Sequence, residues 1–242
     1  MSRVTIDAVC SGTIEKFGPN GEPSAIRKSP LSGPAVVNEN GLVGDEHGDP
    51  RNHGGAEKAV HHYPFDHYRL WQAEYPSAAH HFERPAFFGE NVSSTGMTEA
   101  TVCVGDVYRA GTALLQVSEV RQPCWKLAHR SGIRELPLRV QQTGRTDWFY
   151  RVLEPGSIGP GDTMTLEERP RPDWTLLRLL ALLYTTPLDR EGLREMTTLT
   201  ELAPSQRAIA DTRLSTGRVE PWARRLTVPG AEPLPGLDSG SK

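Results

Sequence analysis

The chain has 242 residues, a formal net charge of -3 and 24% charged residues, long enough to bury a sizeable core as one large domain or as a domain with an appendage. Its charges are of mixed sign along the whole length, which argues against nucleic acid or an anionic membrane as a partner and leaves a small anionic ligand open. Three cysteines at 10, 103 and 124, an odd number without CxxC spacing, argue against a disulfide framework and a Cys-rich zinc site and fit a reducing cytoplasm.

The opening MSRVTIDAVCSGTIEKF lacks a charged segment followed by a long apolar one, so no signal peptide is expected. Up to about residue 168 the chain is rich in Gly and Pro, with short apolar runs between turn signals. VTIDAVCSGTIEKF, ATVCVGDVYRAGTALLQVSEV and WFYRVLEPGSIGPGDTMTLEE read as strands joined by tight turns. Between them FDHYRLWQAEY and the stretch from Trp125 to Gln142 read as helices, the second closing at Gly144. A closed or partly closed β structure with peripheral helices is the expected fold for 1–168.

After ERPRPD the pattern turns helical. Asp173 is placed to cap WTLLRLLALLY, Pro187-Leu188-Asp189 opens a second helix, and Ser205 is placed to cap a third. A small three-helix unit is therefore expected over 173–226, with a disordered tail over 227–242. LLRLLALLY is interrupted by Arg178 and is too short to cross a bilayer. A soluble, cytoplasmic protein without a membrane or nucleic-acid partner is expected.

Four features carry chemistry. Cys124, in VRQPCWKLAHRSG, follows a strand and precedes a helix with Arg121 and Lys126 close by; cations and a helix start favour thiolate, the form that attacks electrophiles and binds soft metals. Cys103 and Cys10 lie in strand-like runs, where a cysteine is a small hydrophobe. In GDEHGDPRNHGGAEKAVHHYP the histidines suggest zinc, but His47, His53, Asp49 and His61 or His62 match no zinc-ligand spacing. The same stretch reads otherwise as a His53-Gly54-Gly55 turn whose backbone N–H groups meet an anion, with Arg51 and Lys58 supplying charge. Asn91, in FFGENVSS, offers a donor and an acceptor, and Arg145 follows the helix-ending Gly144.

Together, GLVGDEHGD, NHGGAEKAVHHYP, FFGENVSSTGMTE, VCVGDVYRAGTALLQVSEVRQPCWKL and TGRTDWFYRVLEPG resemble, in order and spacing, the MOSC family, named for the C-terminal domain of molybdenum cofactor sulfurases. Within it the likeness is to the bacterial YiiM type with its C-terminal three-helix domain. The resemblance implies a β-barrel that binds the molybdenum cofactor, a molybdopterin with a terminal phosphate. It implies Cys124 as thiolate ligand to molybdenum, and His53, Gly54, Gly55, Lys58, Asn91, Arg121 and Arg145 as cofactor contacts. It gives His47 and Asp49 no role. The implied activity is reduction of small N-hydroxylated substrates (hydroxylamino purines and pyrimidines, amidoximes). Electrons would come from a separate reductase, because the chain has no GxGxxG, no flavin motif and too few cysteines for an iron–sulfur cluster. His62 or a water are candidate proton donors. Two alternatives are a sulfur carrier bearing a Cys124 persulfide and a helix-turn-helix regulator, the latter disfavoured by the acidic net charge.

Overall fold

The structure is a computed structural model that describes residues 3–49, 54–235 and 237. Seven strands form the barrel: β1 (Arg3–Ser11), β2 (Val60–Pro64), β3 (Val92–Ser94), β4 (Val107–Ala110), β5 (Ala113–Val120), β6 (Trp148–Glu154) and β7 (Thr163–Glu168). Their order is β7-β4-β5-β6-β2-β3-β1, and β1 returns to β7 to close the sheet. Closure leaves no free edge, which is how a β-rich chain satisfies its outermost backbone groups. It depends on the length of β1, whose Arg3–Thr5 pair with β7 while Ile6–Val9 pair with β3. All barrel pairings are antiparallel except β2 with β3, which run parallel. A hairpin (Glu15–Phe17 with Glu22–Ser24) and a three-stranded sheet containing Ala35–Asn38 flank the barrel.

The expected β4–β5 hairpin is present. Cys103, read as a strand residue, sits instead in a turn whose only bridge is to Thr175. The expected long helix from Trp125 is two: α2 (Lys126–Ser131) and α3 (Leu136–Thr143), following α1 (Asp66–Glu74). Gly132, at φ 73, ends α2 in the left-handed region, and Gly144, at φ 70, ends α3.

The C-terminal helices are α4 (Leu176–Tyr184), α5 (Arg190–Thr197), α6 (Pro204–Thr216) and the short α7 (Ala223–Leu226). Asp189 caps α5 by accepting from Glu191 N–H, whereas Thr175, not Asp173, caps α4 by accepting from Arg178 N–H. Ser205 does not cap α6 and donates to Glu119 instead. Leu176, Leu179, Leu183, Leu193 and Met196 pack in one continuous core with barrel residues such as Leu115, Val117 and Tyr150. A second, aromatic cluster under α1 to α3 contains Tyr63, Tyr68, Trp71, Phe82 and Phe88, with Tyr63 stacked on Phe88 at 3.8 Å. The start of the expected tail is in contact with the body: Arg134 donates to the Glu232 and Pro233 carbonyls, and Leu237 is buried.

Candidate functional site

Strand β5 ends at Val120, and Arg121 to Trp125 carry the chain across the mouth of the barrel to α2. Cys124 lies on this crossing, 7% exposed. One residue of the C-terminal helices brackets it. The Arg225 guanidinium donates to the Pro123 carbonyl and to Gln141 Oε1 at 2.7 Å, while Trp125 N–H donates to the Arg225 carbonyl at 2.8 Å. The peptide groups on both sides of the thiol are thus held from α7.

Two hollows meet at Cys124. The inner one enters the barrel mouth, and Lys28, Lys58, Arg121 and Lys126 all line it together with Asn91 and Cys124. Three of these cations are paired: Lys28 with Asp45, Lys58 with Glu119 at 3.2 Å, and Arg121 with Asp147 at 3.2 Å. Lys126, only 8% exposed, has no hydrogen-bond or ion-pair partner among the described residues. Burial lowers its pKa, while Cys124 and Asp49 pull it back up. Burial also opposes the charge of Arg121, but Asp147 and then Cys124 outweigh it and raise its pKa. By contrast, Cys10 is pushed up to about 12 by burial and by Glu90, and Cys103 is raised by burial and Asp106. Of the three thiols, only Cys124 lines this cationic hollow.

The structure brings Cys124, Lys58, Asn91 and Arg121 together on this wall. Both ends of the Asn91 amide serve the fold: Oδ1 accepts from His61 N–H, and Nδ2 donates to the Cys10 carbonyl and to Asp45 Oδ2. Gly54 and Gly55 immediately precede the 3-10 turn Ala56–Lys58 that carries Lys58, with Gly55 at φ 95. His53 and Arg51 lie outside the described residues. Arg145 is not with the group. It stacks on Trp71 at 3.5 Å and binds Glu74 at 2.5 Å, because the end of α3 faces α1 rather than the barrel mouth. His47 and Asp49, given no role by resemblance, do line the inner hollow.

Alternation along β2 separates the two candidate histidines. His61 lines the hollow, whereas His62 turns into the barrel between Tyr150 Oη (3.0 Å) and Ser94 Oγ (2.9 Å). His62 is therefore not placed to give a proton to a ligand. Burial holds both imidazoles at about 3, with the Arg121 charge adding to the effect at His61. His61 Nδ1 lies 3.0 Å from the Gly89 carbonyl, which only accepts, so Nδ1 carries the hydrogen. Its other nitrogen then faces Asp147 Oδ2 at 2.8 Å, an approach tolerated only with a proton between the two. Burial raises the Asp147 pKa well above the carboxylate range while the Arg121 charge opposes it, so His61 and Asp147 share one proton across this contact. Behind it, Asp147 N–H donates to Glu99 Oε1 and Glu99 Oε2 meets His67 Nε2 at 2.7 Å.

The outer hollow is a cleft of about 690 Å³ between the end of β5, helix α6 and residues 220–225. It shares Asp49, Lys58, Arg121, Cys124 and Phe149 with the inner one. Among the described residues there is no group of three or more His, Cys, Asp or Glu that could hold a metal ion unaided, so the zinc reading has no cage in this part of the chain. The site offers one soft sulfur donor beside cations, which suits a metal arriving with ligands of its own. No helix among the described residues is long and apolar enough to cross a membrane.

Sequence reasoning missed Lys28, Asp45, Asp147 and Arg225. Nothing local marks them, since each reaches the site through a long-range contact; the Arg225 contact with Pro123 spans 102 positions.

Comparison with known proteins agrees with this architecture. Residues 49–165 match the MOSC domain and residues 174–217 match the YiiM-like, 3-alpha helix domain. The chain is 37% identical to Protein YiiM of Escherichia coli (strain K12) over 218 residues, 90% of this chain and 96% of that protein. It is 39% identical to a protein named Reductase from Gibberella moniliformis over 241 residues, 93% of this chain but only 42% of that protein. The crystal structure of YiiM from Escherichia coli superposes with a TM-score of 0.78 at 31% identity, covering 94% of this chain and all of that one. The barrel with its bracketed cysteine and the helices packed on it thus belong to the MOSC domain family, in the YiiM-like branch that carries the three-helix domain.

Proposed function

We propose that this chain is a molybdenum cofactor-dependent reductase of N-hydroxylated compounds, hydroxylamino purines and pyrimidines or amidoximes, with Cys124 as the thiolate ligand to molybdenum. The observation that carries the reading is Cys124 itself, buried at the meeting point of two hollows with Arg121 and Lys126 beside it. The similarity to a protein named Reductase supports the reaction class.

The residues fit the group. A thiolate matches a soft metal, and the Lys126 ammonium, held in the hollow by burial and without a hydrogen-bond or ion-pair partner among the described residues, suits an anion such as the terminal phosphate. Lys58 and Arg121 add positive charge on the same wall. When bound, the cofactor supplies the two-electron chemistry that cleaves an N–O bond. The net change is R–NH–OH plus two electrons and two protons to R–NH2 and water. This chain's part is to hold the thiol, exclude bulk water at the barrel mouth and deliver a proton. The His61 and Asp147 pair holds one proton at the wall, shared over their 2.8 Å contact, with His61 between Asp147 and the hollow. Electrons arrive from a separate reductase.

The test is metal and pterin analysis of protein made in a cofactor-competent host, followed by turnover of 6-hydroxylaminopurine with an artificial electron donor. Near-stoichiometric molybdenum and pterin with amine formation is the expected result. Protein without either, carrying sulfane sulfur on Cys124, would identify a sulfur carrier instead; the 93% burial of Cys124, the complement of its 7% exposure, speaks against handing sulfur to another protein.

A further inference from the structure

Lys28 lines a hollow besides the inner one, a pit of about 380 Å³ bordered by the turn Pro76–Phe82, residues 84–87 and α2. Arg27, Lys28, Arg84 and Arg130 line it against a single carboxylate, Glu83, on a chain whose net charge is -3. Lys28 is buried and paired with Asp45. The outer cations are open to a partner. Arg84 is exposed and has no hydrogen-bond or ion-pair partner among the described residues. Arg27 has Glu15 at 3.2 Å, with both side chains exposed, a pair worth about 0–1 kcal/mol that an incoming carboxylate can replace. Arg130 donates from Nη1 alone, to the carbonyls of Ile26, Ala86 and Phe87, and its guanidinium lies 5.0 Å over the Phe87 ring. Its other two nitrogens have no hydrogen-bond partner among the described residues. Ala86 stands at φ 87, a left-handed conformation that costs a non-glycine residue about 1–3 kcal/mol. Glu90 holds its N–H at 2.6 Å and Arg130 its carbonyl, so this part of the pit is fixed in place.

We propose that this pit is the docking face for the electron donor, a flavoprotein that seats the acidic surface around its flavin on Arg27, Arg84 and Arg130. Charge and stoichiometry argue for such a donor. Carboxylates complement arginines, whose forked guanidinium binds them through paired hydrogen bonds. Cleavage of the N–O bond consumes two electrons and two protons, which a reduced flavin carries together. The balance is R–NH–OH plus reduced flavin to R–NH2, water and oxidised flavin. Position argues for the face. The Lys28 side chain fronts both the pit and the inner hollow, and Ile26, whose carbonyl Arg130 holds, lines the inner hollow as well. A single layer of side chains thus separates a docked donor from the hollow that contains Cys124. Electron-transfer contacts are small, below about 1,200 Å², and exposed charges at such a rim speed encounter more than they tighten the complex. The inference rests on the reductase reading for the use of the electrons, and not for the face that binds the donor.

The experiment follows turnover of 6-hydroxylaminopurine by the full-length cofactor-loaded protein with two donors. One is reduced flavodoxin, a small acidic flavin protein, and the other is reduced methyl viologen, a small cation that needs no basic face. Arg27→Glu and Arg84→Glu are each expected to lower kcat/KM for flavodoxin about 5-fold or more, through KM, and the double variant about 20-fold or more. The viologen-driven rate should stay within about 2-fold in all three. Raising KCl from about 50 mM to about 300 mM should slow the flavodoxin reaction of the wild type and barely touch that of the double variant. Arg194→Glu, exposed on α5, makes the same charge change elsewhere and serves as the control, altering neither rate. Flavodoxin that drives no turnover where viologen does, a flavodoxin rate indifferent to both reversals, or one lost in Arg194→Glu instead, overturns the proposal. Calorimetry of flavodoxin on the same proteins separates the two claims. Binding weakened by both reversals, without turnover by either donor, upholds the face and refutes the reductase reading.

Discussion

At the scale of the residue, a thiol beside cations and a thiol beside carboxylates are different reagents. Cys124 has Arg121 and Lys126, whereas Cys10 and Cys103 are raised by burial together with Glu90 and Asp106. Cys124→Ser is therefore expected to abolish reductase turnover, by 100-fold or more, with the thermal midpoint within a few degrees. Cys103→Ser should stay within about 2-fold of wild type; equal loss in both would mean the wrong thiol. Asp147 makes a second case, held at φ 78, a left-handed conformation that costs a non-glycine residue about 1–3 kcal/mol. That strain is kept where Arg121, His61 and Glu99 converge. Asp147→Asn keeps the shape and removes the acidic proton, so kcat should fall by about 10²-fold while molybdenum content is retained. An unchanged pH–rate profile would exclude Asp147 as the proton store. Cys124 was legible because its cationic neighbours are adjacent in sequence. Asp147 was not, because only the closed barrel brings it to His61.

At the scale of the element, apolar runs and turn residues announced the β4–β5 hairpin, α1 and the C-terminal helices, since these are local patterns. The break between α2 and α3 went unread because a single Gly132 inside an apolar pattern is ambiguous until its φ is known. His61 and His62 were indistinguishable for the same kind of reason: strand register decides which one faces the hollow. What no local pattern could supply is the grip of α7 on the cysteine crossing. Arg225→Ala removes the donor to Pro123 and Gln141, and iodoacetamide should then alkylate Cys124 of the cofactor-free protein about 10-fold faster. Arg225→Lys, able to reach one acceptor but not both, should fall between. Identical rates in all three would show that the crossing holds itself.

At the scale of the whole molecule, barrel and helices share a single core, although they match two separate domain families. Within that core His62 is neutral, its pKa held at about 3 by burial and then by His61. The same imidazole, once unfolded, protonates near its ordinary value of about 6.5. Its contribution to stability is thus complete above about pH 6.5 and is lost as pH falls toward 3, at about 1.4 kcal/mol per pH unit. Between pH 7 and pH 5.5 His62 should account for about 1–2 kcal/mol of the loss seen in urea unfolding. His61, held at about 3 as well, titrates in the same window, so His62→Asn should lower the slope without abolishing it. A wild-type curve without slope there would mean that the imidazole is solvated.

The Pro123–Arg225 contact also sets a schedule. The two residues are 102 positions apart, and synthesis at about 5–20 residues per second separates them by roughly 5–20 s. In the later part of that interval, once β7 has been made and the sheet can close, a newborn barrel holds its cysteine crossing but has nothing to clamp it. The thiol is then at its most open to cofactor and to oxidant alike, and the arrival of α7 ends both opportunities at once.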